Sequence, residues 1–121
     1  LSRCSKIHRS RWTLCSATAE TFRWALENEN RICLCSFMSA QFDDLPDEVR
    51  TEVQAFADVN IAWLKKMLVA AKVASPREAE KRARAIYSGI VDAQLMARSR
   101  ADIALYDSLI ESYRTAGLLP A

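Results

Sequence analysis

Glycine is nearly missing from this chain: Gly89 and Gly117 are the only two in 121 residues. A phosphate cradle of the dinucleotide or P-loop kind needs several glycines within one short loop so that backbone N–H groups can reach the ligand, and none can be built here. Histidine is scarcer still. The single one, His8, falls in an irregular basic stretch, so the body of the chain holds no Ser-His or Cys-His pair to activate a nucleophile. No H-E-x-x-H or EF-hand pattern occurs either. Neither an enzyme nor a cofactor is expected. No apolar run approaches the roughly 18 residues that span a bilayer, and the basic start is too short and polar for a secretory leader. A cytoplasmic protein without a membrane partner is expected.

Acidic charge is absent from residues 1 to 11, which carry Arg3, Lys6, Arg9 and Arg11, leaving 13 bases against 15 acids in the remainder. The body lacks the basic face through which a domain grips phosphates. What the chain does have is apolar and helix-forming: half its residues are hydrophobic, Ala, Leu, Glu, Arg and Lys abound, and only three prolines interrupt them. That composition favours long helices joined by short turns, an all-α fold with a core of its own.

About five helices can be read along the chain. Residues 1–15 form an irregular basic arm or remnant, and residues 16–121 a helical domain. A first helix over Thr18–Asn28, ending in "ENEN", precedes a second over about Arg31–Phe42. The turn "FDDLPDEV" opens a long helix running to about Val73, with Pro46 in its first turn and Asp44, Asp47 and Glu48 at its positive end. Within it Val49, Val53, Phe56, Asn60, Trp63, Met67 and Ala70 recur every three or four residues, a stripe interrupted by one amide. "ASPREAEK" follows, with Ser75 as N-cap, Pro76 at the first helical position and Glu78 completing a capping box. "SRAD" repeats that logic with Ser99 and Asp102 to start a last helix, stopped by Gly117.

Cys4, Cys15, Cys33 and Cys35 match no common zinc framework. On a helix, Cys33 and Cys35 would point about 200° apart and could not close on one ion, so ordinary buried thiols are expected and no metal. Asn60 is more informative. An amide in an apolar stripe costs about 1–3 kcal/mol unless its hydrogen bonds are met, by a neighbouring helix or water, or by a ligand in a cavity beside Phe56, Trp63 and Met67. Tyr87 and Gln94, on the next helix, admit the same two readings. Between Ala85 and Met96 that helix is apolar almost all round and needs cover on more than one side.

The stretch "ICLCSFMSAQFDDLPDEVRTEVQAFADVNIAWLKKML" resembles the C-terminal regulatory domain of TetR-family transcriptional regulators. The features follow in the same order: a C-L-C helix at Cys33 to Cys35, an L-P-x-x-V turn at Leu45 to Val49, Trp63-Leu64 within the long helix, and two final helices, the first containing Gly89. The resemblance covers about residues 18 to 119. It implies a pocket for a small apolar effector near Cys35, Met38, Phe56, Asn60, Trp63, Met67, Tyr87 and Gln94. It also implies a homodimer in which the last two helices join their copies in a four-helix bundle through Ala85, Gly89, Asp92, Met96, Tyr106, Leu109 and Tyr113. The family's helix-turn-helix module has no counterpart here, since residues 1–17 are too short to hold one. Leu1 in place of Met and the irregular arm point to a fragment or a gene altered near its start, so DNA would be reached only through a module this chain lacks. The rival expectation is a stand-alone helical interaction protein with no ligand.

Overall fold

A computed structural model describes residues 13–31 and 34–120. Among them are five α-helices and no strand: α1 (Thr13–Glu27), α2 (Leu34–Ala40), α3 (Asp47–Ala70), α4 (Pro76–Ser99) and α5 (Ile103–Thr115), with a 3₁₀ turn at Phe42–Asp44 before α3. The all-α expectation holds. Two boundaries differ from the sequence reading. Helix α1 begins at Thr13, so residues 13 to 15 are its first turn and no part of an arm; "TLCSATAETF" has no Gly or Pro to delay it. Helix α2 stops at Ala40, and the chain passes through the 3₁₀ turn to Leu45, extended at φ −88°, ψ 146°, as the residue before a proline prefers.

The helix starts follow their caps. The N–H of Glu78 donates to Ser75 Oγ at 3.4 Å, with Pro76 next to the cap. The N–H of Leu105 donates to Asp102 Oδ1 at 3.2 Å. Ser99, expected to share in that cap, instead closes α4, its hydroxyl donating to Met96 O. Pro46 is itself the cap residue of α3, ahead of Asp47 and Glu48.

The helix ends share one device that the sequence signals only once. After α3 the N–H of Lys72 donates to Val69 O and that of Val73 to Leu68 O; after α4, Ala101 and Asp102 bond to Arg98 O and Ala97 O; after α5, Gly117 and Leu118 bond to Arg114 O and Tyr113 O. Each is a Schellman closure that needs a left-handed residue. Gly117 fills that place at φ 84°, whereas Lys72 and Ala101 hold it at 58° and 49° despite their Cβ atoms. Ala101→Gly is therefore expected to stabilise the fold by about 0.5–1 kcal/mol, read as a rise in thermal midpoint; an unchanged or lower midpoint would show that the closure carries no strain.

Helix α4 is the axis of the fold, with α1, α3 and α5 packed around it. Ala79, Ala83, Ile86, Ile90, Ala93 and Ala97 are fully inaccessible. From α3 the core takes Leu64 and Leu68, with Ala57 and Ile61 packed partly against it, and Val53 is buried at the same spacing. This corrects the expected stripe. The residues of α3 that face the core are 53, 57, 61, 64 and 68, while Phe56 and Trp63 stand outside at 44% and 36% exposure. The helix carries two apolar faces, and the stripe read from the sequence mixes them: its Val53 turns to the core, its Phe56 and Trp63 to the outside.

Two clasps hold the periphery. Asn30 Nδ2 donates to Arg98 O at 2.9 Å while Arg98 Nη1 donates back to Asn30 O at 2.5 Å, tying the end of α1 to the end of α4. Arg82 Nε and Nη2 donate to Leu118 O at 3.0 Å and Gly117 O at 2.8 Å. Just beyond, Leu119 is buried.

Candidate functional site

Where α1 leans across α3, Thr18, Thr21, Phe22, Trp24 and Ala25 face Phe56, Asn60 and Trp63 over an open cleft of about 450 Å³, and Gln94 of α4 joins its lining. The spacing of three and four places each set on one helix face. Gln94 is fully buried, and its Nε2 donates to Phe22 O at 2.9 Å, linking α4 to α1. Phe22 stands edge-on to Tyr87, with ring centroids 6.3 Å apart at 83°. Tyr87 thus supports a cleft residue from the core and does not line the cleft. The Nδ2 of Asn60 donates within its own helix, to Phe56 O at 2.8 Å, a partner outside the expected ones of a neighbouring helix, water or a ligand.

Of the pocket residues anticipated from the sequence, Phe56, Asn60, Trp63 and Gln94 come together. Met38 and Met67 are half-buried and lie apart from the cleft lining. The side chain of Cys35, like Cys4, His8, Cys15 and Cys33, falls outside the described residues, and with them the question of where the cysteine pair points. Among the described residues no cluster of metal-ligating side chains occurs, and no helix is long and apolar enough to cross a membrane. Sequence reasoning missed the whole α1 wall. Thr18, Thr21, Phe22 and Ala25 do recur at helical spacing, but two threonines dilute the apolar pattern that a periodicity search weighs.

The expected interface residues divide. Ala85, Asp92 and Met96 are exposed, and Gly89, Leu109 and Tyr113 are half-buried. Tyr106 is taken up inside the chain: it is 1% exposed and its hydroxyl donates to Ala19 O at 2.5 Å. Burial pushes its phenol well above the ordinary range. Gly89 admits a close approach, as expected, but from this chain's own α5. Tyr113 Oη donates to Gly89 O at 3.2 Å, and a Cβ there would sit 3.4 Å from the Tyr113 ring. Burial, assisted by the charge of Asp92, raises the Tyr113 phenol as well. Beside this face Arg23 Nε and Nη2 grip Asp107 at 2.7 and 3.0 Å, and this bonding holds the Asp107 carboxyl below its usual range.

No family model, curated protein or solved structure matches this chain.

Proposed function

We propose that this chain is the effector-sensing and dimerising part of a TetR-like transcriptional regulator, working in the cytoplasm by binding and not by catalysis. The observation that carries the reading is the cleft. Four of the residues picked out beforehand as effector contacts, drawn from two separate helices, line one open aromatic cleft with the α1 wall opposite. A second support is the outer side of α4 and α5. Ala85, Asp92 and Met96 remain exposed beside the half-buried Gly89 and Leu109, a mixed face of the kind that two copies bury isologously in a four-helix bundle.

In such a regulator an effector wedged between α1 and α3 favours one helix arrangement over another. Because α4 contributes Gln94 to the cleft and Met96 to the outer face, the two sites share one rigid element. In a complete dimer the shift alters the spacing of two DNA-reading modules and thus their fit to paired half-sites.

Light scattering at micromolar concentration is expected to return twice the monomer mass, and Met96→Glu to return a monomer of unchanged helicity, because two added carboxylates would face each other across the bundle. A strictly monomeric wild-type chain would overturn the dimeric part of this reading.

A further inference from the structure

The outer ridge of α3 stands between two depressions. On one flank is the cleft with α1, and on the other a shallow hollow between Lys66 and Val69 of α3 and Pro76 of α4. Its crest is Val59, at 67% the most exposed large hydrophobic residue among those described. Val53, Ala57, Ile61, Leu64 and Leu68 turn the far side of the helix to the core. That leaves Ala55, Phe56, Val59, Ala62 and Trp63, all exposed, as one apolar face that no described element covers.

Charge is ordered along this face. Glu52 lies seven residues before Val59 and Lys66 seven after, both exposed. Seven residues advance a helix by about 10 Å and return it to within about 20° of the same direction, so the two charges share the crest with Val59 at equal distances from it. No ion pair among the described residues engages either of them. Lys65, one step round the helix, is instead turned to α4, where its Nζ reaches Glu80 at 3.9 Å. The face reads acid, apolar, base, a pattern that complements itself when reversed.

We propose that this face of α3 pairs antiparallel with the same face of a second copy, about a two-fold axis beside Val59. The axis sets Glu52 of each copy against Lys66 of the other, brings the two Val59 side chains together and lays Phe56 of one copy beside Trp63 of the other. The contact is isologous, so each attraction is made twice. A parallel pair would instead set Glu52 on Glu52 and Lys66 on Lys66. One helix face buries less than the roughly 1,600 Å² of a standard interface, so this pairing belongs at higher concentration than the bundle of α4 and α5. It is a separate contact and stands whether or not that bundle forms.

Sedimentation equilibrium of the chain carrying Met96→Glu, which leaves the α3 face to pair by itself, tests it. A monomer at low micromolar concentration is expected to give way to a dimer with a dissociation constant on the order of 100 µM. Val59→Glu, which brings two carboxylates together at the axis, is expected to abolish the dimer at unaltered helicity by circular dichroism. Glu52→Lys and Lys66→Glu are each expected to raise the constant at least about fivefold, and the two combined to return it to within about twofold of its starting value. Absence of a dimer at high micromolar concentration would overturn the proposal and leave the face to a partner of other chemistry. Single reversals without effect, or a double reversal that does not restore pairing, would refute it as well. Where a variant fails to fold, the salt response of the parent decides: sodium chloride is expected to weaken a pairing held by two ion contacts, and pairing that salt leaves unchanged or strengthens would refute the register.

Discussion

Leu64→Ala is expected to lower the unfolding free energy by about 2–5 kcal/mol, a large share of the roughly 5–15 kcal/mol that holds an ordinary domain together. Leu64 is fully inaccessible where α3 packs on α4, so truncation removes its transfer free energy and leaves a cavity that a close-packed interior refills only in part. Its sequence neighbour Trp63 and the still more exposed Trp24 supply the contrast. Trp24, at 64% exposure, is expected to lose no more than about 1 kcal/mol as Trp24→Ala, while binding in the cleft weakens. Urea unfolding at constant m-value measures both. A small loss for Leu64→Ala would mean that α3 turns a different face to the core, a large one for Trp24→Ala that α1 does, and either would remove the cleft between them.

The second large effect separates core from interface at one residue. Tyr106→Ala is expected to cost about 3–5 kcal/mol in the isolated folding unit, independently of protein concentration, because the ring lies inside the chain and its hydroxyl donates to Ala19 O. Tyr106→Phe keeps the ring and is expected to cost only about 1 kcal/mol. Were Tyr106 at a contact between copies, Tyr106→Ala would raise the dissociation constant and leave the folded monomer intact. An alkaline titration gives an independent check. The folded-state phenol is raised above its unfolded value by burial, so its contribution is fully present below about pH 10 and is lost as pH climbs beyond that. Wild-type stability should fall above that pH, and Tyr106→Phe should flatten the fall; an unaltered alkaline limb would show that the phenol is accessible.

How much of this could be read beforehand depends on where the signal resides. The start of α4 is legible because the side chain of Ser75 and the ring of Pro76 act on the backbone next to them, with no help from the rest of the fold. The ends of α3 and α4 are not. Lys72 and Ala101 adopt left-handed geometry that neither residue prefers, and the closing hydrogen bonds are decided by the packing that brings each chain reversal about. The stripe Phe56, Asn60, Trp63 was legible as apolar and helical, but periodicity does not say which of two apolar faces is covered. That choice is made by α4, whose alanines accept Leu64 and Leu68 and leave the aromatic side for α1. The α1 wall was hidden for a related reason: Thr18 is buried although its hydroxyl scores as polar in any hydropathy count. Tyr106 shows the opposite error, since an apolar face shared by the last two helices reads the same whether its partner is another copy or α1 of the same chain.

The clasp of Arg82 on the carbonyls of Gly117 and Leu118, with Leu119 buried just beyond, bears on the order in which the molecule is made. Arg82 lies early in the central helix, and the groups it holds are 35 and 36 residues further on. During synthesis, α4 therefore leaves the ribosome with one flank open, and it stays open until residue 119 has also emerged. Until then the nascent chain presents an incompletely covered apolar helix, so a chain stalled with residue 119 still inside the ribosome should be sensitive to protease, and one stalled on an added C-terminal linker long enough to bring residue 119 out should be resistant.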